Sequence, residues 1–246
     1  MTLRVALGEY DTGWHDPQLS LKRAGIVAQD AARDGARLLV LPEMATTGFT
    51  MDAEHFAESL GGESSMCLGE IAAKNEIWIV AGMSAREAGE ARAGNAAVVF
   101  GPDGAIRGSY RKQRLFGYAD ETRTYAAGTA PFTIDIEGVR TSLFVCYDLR
   151  FPELFREVAR ASDLMLVIAN WPVDRRAHWD ALLAARAIEN QCYVVGVNRL
   201  GEAAGLKYDG GSAAHGPFGE RFPGHVVDVD AAEVARVRER YPFLPA

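Results

Sequence analysis

Five short apolar runs limit what this chain can fold into. Residues 3–7, 37–41, 77–81, 164–169 and 193–198 read as strands, and the last three carry no charge at all. A strand that is apolar along its whole length is covered on both faces, as parallel strands between helices are. Pro42 stops the second run. Helical spacing fills the intervals. Residues 17–34 place Leu21, Ala24, Val27, Ala28 and Ala31 on one face, and Gly35 ends them. Further helices are expected over 64–75, with Ser64 as cap, over 153–161, from about 175 to 190, and over 231–240. Hairpins interrupt this alternation. Residues 95–100 and 105–110 flank Gly101-Pro102-Asp103-Gly104, and 132–136 and 139–145 flank Glu137-Gly138. A further turn is expected at 216–220 and a short strand at 226–229. Units of strand and helix mixed with hairpins imply an α/β fold built in layers, not a purely doubly wound sheet. With no linker, repeat or low-complexity stretch, residues 1–246 read as one domain.

The charge balance, 26 basic against 33 acidic residues, contains no basic run and argues against nucleic acid as a partner. The N-terminus reads as a strand and not as a signal peptide, and no apolar run approaches bilayer length, so no membrane is expected. Three cysteines, Cys67, Cys146 and Cys192, fit free thiols in a reducing cytoplasm. The sequence has no metal-ligand spacing and no phosphate-binding loop, so neither metal nor cofactor is expected.

One cysteine stands where the chain changes character. Cys146 ends the apolar run 141–145 and is followed by Tyr147, Asp148 and Arg150 before the chain turns helical near Pro152. That strand-to-turn reversal is the logic of a nucleophile elbow, and the N–H of Tyr147 is placed to hold an oxyanion. A neighbouring cation or a helix N-terminus lowers a thiol pKa. A cysteine in an apolar run also serves as a small core residue, which is the reading for Cys192 and Cys67. None of the five histidines sits at a strand end, so a Cys-His pair is weak. Carboxylates serve better. Glu43 follows a buried strand, where burial lifts a carboxylate toward proton-shuttling range, unless it is a solvated loop residue. Lys112 closes the hairpin strand 105–110 and offers a fixed ammonium, or else an exposed lysine between Arg111 and Arg114.

Taken together, the pieces resemble the nitrilase superfamily of carbon–nitrogen hydrolases. They are LPE with TGF at 41–49, YxKxxLF at 110–116, CYDLRFPELFR at 146–156, NWP at 170–172 and RAIENQ at 186–191. The resemblance covers nearly the whole chain. It implies a four-layer α-β-β-α sandwich and a Glu43–Lys112–Cys146 triad of base, cation and nucleophile. It also implies a second glutamate, for which Glu121, beside Asp120, is the match. Family members pair through helices, which implies a homodimer through the helices after Cys146 and around 175–190.

Within the superfamily, CYDLRFPE, ANWP and HW…RAIENQ resemble the omega-amidase group. That implies hydrolysis of the terminal amide of a small 2-oxo dicarboxylic monoamide such as 2-oxoglutaramate, through a thioester and with release of ammonia. Arg114 departs from the group, which often carries histidine there. Arg150 and Arg114 are candidates to bind the substrate carboxylate, since a guanidinium takes a carboxylate bidentately. Arg150 reads equally as a structural partner of Asp148 or Glu153. Phe116, Tyr118 and Trp171 wall the pocket or pack the core. Arg186, Glu189 and Asn190 share a helical face and read as structural or interface residues. Two other readings keep the fold: hydrolysis of nitriles or of other aliphatic or carbamoyl amides, and a binding protein without turnover.

Overall fold

The computed structural model describes residues 2–244. The apolar runs pair into two mixed six-stranded sheets. The strands in chain order are β1 (Thr2–Leu7), β2 (Leu38–Val40), β3 (Trp78–Ala85), β4 (Gly94–Phe100), β5 (Ile106–Arg111), β6 (Thr133–Ile136), β7 (Val139–Val145), β8 (Leu164–Ala169), β9 (Tyr193–Asn198), β10 (Leu200–Ala203), β11 (Leu206–Asp209), β12 (Ala213–His215), β13 (Arg221–Phe222) and β14 (Val226–Asp230). The helices are α1 (Pro17–Arg33), α2 (Ala53–Phe56), α3 (Glu63–Asn75), α4 (Glu121–Thr124), α5 (Pro152–Val158), α6 (Arg176–Asn190) and α7 (Ala231–Arg240). The first sheet has the order β14-β1-β2-β3-β4-β5 and the second β13-β12-β9-β8-β7-β6. Each has three parallel strands at its centre, β1-β2-β3 and β7-β8-β9, with antiparallel neighbours outside them.

Residue alternation shows the layering. In β2, Leu38 and Val40 enter the core shared with the second sheet, whereas Leu39 and then Leu41 enter a separate core. That second core holds Ala24, Ala28 and Ala31 of α1 and Leu68 and Ala72 of α3. The alanines, spaced three and four apart, let α1 lie close to the sheet. On the far side, α5 and α6 cover the second sheet with Leu154, Phe155, Trp179 and Leu183. A Cβ on Gly196 of β9 would come within 2.5 Å of Leu183 and 2.7 Å of Trp179, so α6 packs at a distance only glycine permits. The result is the four-layer α-β-β-α sandwich. Each fully buried leucine contributes about 2 kcal/mol of transfer energy to it.

Local chemistry sets the ends of elements. Asp16 caps α1 by accepting from the N–H of Leu19 at 3.0 Å, and Pro17 takes the first helical position. The expected Ser64 cap of α3 is replaced. The helix starts a residue earlier, and Glu58 accepts from the N–H of Ser64 at 2.9 Å in place of a cap side chain. The helix expected over 153–161 ends at Val158 and tightens into a 3-10 turn, Ala159–Ala161. The β10–β11 hairpin had no counterpart in the sequence reading. No described helix is long and apolar enough to cross a membrane.

Candidate active site

Strand ends converge on one cavity. Glu43 lies three residues beyond β2, Lys112 directly follows β5, Cys146 directly follows β7, and Asn170 directly follows β8. Three of these positions are the carboxyl ends of parallel strands, where α/β sheets leave open crevices. The Glu43 turn is clamped by β3: Gly82 donates to the carbonyl of Pro42 at 3.0 Å, and Ala45 donates to the carbonyl of Gly82 at 2.8 Å. A Cβ on Gly82 would meet the Glu43 Cα at 2.5 Å, so only glycine lets the backbone pass.

Glu43, Lys112 and Glu121 are fully buried. Lys112 Nζ donates to Glu43 Oε1 at 3.0 Å and to the Glu121 carboxylate at 3.0 and 2.9 Å. Asn95 Nδ2 donates to Glu43 Oε1 at 2.7 Å and to Glu121 Oε1 at 2.8 Å, tying the two carboxylates together. Glu43 Oε2 accepts from the N–H of Asn170 at 2.9 Å. Burial by itself would lower the Lys112 pKa. The Glu43 and Glu121 carboxylates outweigh that and hold the ammonium above its ordinary range.

Cys146 begins a 3-10 turn, Cys146–Arg150, and has φ +46°. A side chain in this left-handed region costs about 1 kcal/mol. The reversal carries the sulfur off the strand to the cavity floor, 3.9 Å from the carbonyl of Asn170. Burial pushes the thiol well above its ordinary value, and the Glu43 carboxylate adds to this, while Lys112 opposes it. A cation-lowered thiol was the expectation. Burial first, and the Glu43 carboxylate second, reverse the sign, so Cys146 rests as a thiol.

These residues meet under one cavity lined also by Phe49, Phe116, Tyr147, Arg150, Trp171, Arg175, Leu206 and Tyr208. The profile of the carbon-nitrogen hydrolases matches residues 4–228. The chain belongs to the carbon-nitrogen hydrolase family. It is 32% identical to the 2-oxoglutaramate amidase of Bacillus subtilis, over 99% of this chain and 97% of that protein. It is 36% identical to the Omega-amidase YafV of Escherichia coli K12, over 96% of this chain and 88% of that protein. Among solved structures, a CN-hydrolase superfamily protein of Xanthomonas campestris, with an arsenic adduct in its active site, superimposes with a TM-score of 0.90. It is 35% identical and the match covers 99% of this chain and 96% of that one.

In this carbon-nitrogen hydrolase the residues singled out from the sequence divide. Glu43, Lys112, Cys146, Tyr147, Arg150, Phe116 and Trp171 line the cavity. Glu121 stands behind Lys112, away from the cavity, and accepts from the N–H of Phe116 at 2.5 Å, which fixes the loop after β5. Two expectations are corrected. Tyr118 is 91% exposed, because the 3-10 turn Gly117–Ala119 carries its ring into solvent. Arg114 is turned outward to Glu153, 3.5 Å away, and lies over Phe151. Arg150 pairs with neither Asp148 nor Glu153: it meets His178 Nδ1 at 3.2 Å and lies over Trp171 at 4.7 Å.

Sequence reasoning gave no site role to Asn95, Arg175, Leu206 or Tyr208, named Asn170 only within the NWP motif, and named Asp148 only in the turn after Cys146 and as a possible partner of Arg150. Asp148 is buried and anchors the Cys146 turn. Its Oδ1 accepts from the N–H of Arg114 at 2.8 Å, and its Oδ2 accepts from Tyr110 O–H at 2.8 Å and from the N–H of Val145 at 3.0 Å. All three partners are donors, so Asp148→Asn turns an amide N–H toward at least one of them. That change is expected to cost about 1–3 kcal/mol in denaturant unfolding at pH 7.5.

The pH dependence carries a further signature. Burial pushes Asp148 up to about 6, against the Val145 N–H and Lys112, which pull it down. A carboxylate raised in the folded state weakens folding while ionised. Its penalty is relieved as pH falls through 6 toward its unfolded value near 3.8. Between pH 7.5 and 5 the wild type is expected to gain about 1 kcal/mol from this group, and Asp148→Asn to lose that gain. Equal pH slopes in the two proteins would remove Asp148 from the account.

Proposed function

We propose that the protein hydrolyses the terminal amide of a small dicarboxylic acid monoamide, with 2-oxoglutaramate as the type substrate. The observation that carries this reading is the placement of a protonated thiol, a buried carboxylate and a buried ammonium on one cavity floor. Glu43 takes the thiol proton as the Cys146 sulfur attacks the amide carbon. In the resting site Lys112 donates to Glu43 and to both oxygens of Glu121; once Glu43 carries the thiol proton, the ammonium hydrogen that faced it turns to the oxyanion alongside the N–H of Tyr147. Glu43 returns its proton to the departing nitrogen, ammonia leaves, and a thioester remains. Water, deprotonated by Glu43, attacks the thioester and restores the thiol while the acid departs. Glu121 is not among the residues that line the cavity, and both its oxygens accept from Lys112, so its part in this scheme is to hold the ammonium. No metal or organic cofactor enters any of these steps.

The names of the relatives in Bacillus subtilis and Escherichia coli support the acyl group. Both sheets supply residues to the site, in keeping with a single domain over 1–246. We place the enzyme in the cytoplasm on its three free thiols. We place the homodimer contact on α6 and the adjoining C-terminal segment. There Ile188, Phe218 and Phe243 are more than half exposed, and the Phe218 and Phe243 rings flank Tyr241 at 5.5 and 5.7 Å. Ammonia release from a panel of 2-oxoglutaramate, succinamate and an aliphatic nitrile tests the activity. Turnover of the two acid amides is expected. A panel in which only the nitrile reacts replaces this reading with a nitrilase.

A further inference from the structure

The cavity contains three cations, and they are not equivalent. Lys112 is enclosed by two carboxylates on the floor. Arg150 is engaged by His178 and stacked on Trp171. Arg175 lines the same cavity, and its guanidinium makes no hydrogen bond or ion pair among the described residues. Its one described partner is the face of Phe116, 5.6 Å away. The backbone that carries it is fixed, because Trp171 Nε1 donates to the carbonyl of Arg175 at 2.8 Å. A rigidly mounted arginine, half-buried on a cavity wall with all its donors available, is a preorganised carboxylate receptor.

We infer that Arg175 holds the distal carboxylate of the substrate and so selects acid amides over neutral ones. The inference rests on the amide-hydrolase reading above and adds the residue that sets its acyl group. Charge distribution fixes the direction of binding. The floor, with Glu43, Glu121 and Lys112, carries one net negative charge and turns a carboxylate away. The wall with Arg150 and Arg175 attracts it. A monoamide therefore enters with its amide toward Cys146 and its carboxylate toward Arg175, the Phe116 and Trp171 rings flanking the chain between. Arg114, two residues after Lys112, is excluded by its position against Glu153.

Arg175→Gln and Arg175→Lys, assayed on succinamate and on neutral butyramide, test the assignment. In Arg175→Gln the kcat/KM for succinamate is expected to fall on the order of 10–100-fold, mostly through KM. Butyramide hydrolysis is expected to change by less than about threefold, and Arg175→Lys to recover part of the loss. An equal fall on both amides, or an unchanged ratio between them, overturns the assignment while leaving the hydrolase intact. If the wild type acts on no amide, the hydrolase reading itself fails. Succinate binding to the Cys146→Ala protein, with and without Arg175→Gln, then still decides the matter. Weaker binding with glutamine supports the receptor, and equal binding refutes it.

Discussion

Cys146→Ala is expected to reduce amide turnover by on the order of ten-thousand-fold or more, with the fold retained. Removing the sulfur removes the only group on the cavity floor that can form a covalent acyl intermediate, and no neighbouring side chain replaces it. Alanine bears the same left-handed backbone at φ +46° as cysteine does, so the strained turn is not further penalised. The neighbouring buried cluster keeps the bonds of Lys112 and Asn95 to Glu43 and Glu121 and that of the Asn170 N–H to Glu43, and loses only the weak contacts of the thiol with Glu43 and the Asn170 carbonyl. Cys192 supplies the contrast. It is fully buried in the core, and its thiol is pushed up to about 12 by burial. Cys192→Ala is expected to lose about 1 kcal/mol of stability through the small cavity left behind, with turnover unchanged. Ammonia release and thermal unfolding on the two variants separate the roles. Comparable activity loss in both would make the thiols structural.

Lys112→Met is expected to abolish turnover and also to destabilise the protein by about 3–5 kcal/mol at pH 7.5. The substitution keeps an unbranched side chain, one atom shorter, and removes the ammonium with its three donated hydrogen bonds. Glu43 and Glu121 then face each other in a fully buried site, with Asn95 as their shared donor and no counter-ion. The same geometry predicts a repair. In the double variant Lys112→Met, Glu121→Gln, one of the two charges is gone, and much of the lost stability is expected to return while activity does not. Chemical denaturation of the single and double variants measures this directly. A single-variant loss below about 1 kcal/mol would mean that the cluster is not the charged triad its distances describe.

Much of the architecture could be read from residue pattern alone, and the reasons are local. Charge-free runs such as 164–169 and 193–198 became β8 and β9 at the expected positions. The turn chemistry at Gly101–Gly104 and Glu137-Gly138 produced the two expected hairpins. The β10–β11 hairpin escaped notice because only the four residues LKYD alternate while LGEA before them does not, yet it brings Leu206 and Tyr208 to the cavity. At the site, the strand-end residues Glu43, Lys112 and Cys146 lie on one cavity. Proximity in sequence misled for Arg114 and Tyr118, since the chain after Lys112 turns two further residues outward. Asp148 looked like a salt-bridge partner for Arg150, but Tyr110 from the opposite sheet claims it. Asn95 carries no signal of its own and Asn170 only that of the NWP motif, because their bonds to Glu43 arise only where β4 and β8 meet the Glu43 turn. Arg175 stood at the expected start of a helix, and nothing in its neighbours marked the 3-10 turn, Val173–Arg175, that directs it to the cavity.

The central claim is a covalent bond between Cys146 and the acyl part of the substrate. Rapid acid quench during succinamate turnover, followed by mass spectrometry of the peptide containing Cys146, looks for that bond itself. The account predicts a succinyl thioester on Cys146 that appears in the first turnover and decays as acid is released. Ammonia release with the Cys146 peptide unmodified throughout, and with Cys146→Ala turning over at the wild-type rate, would contradict it.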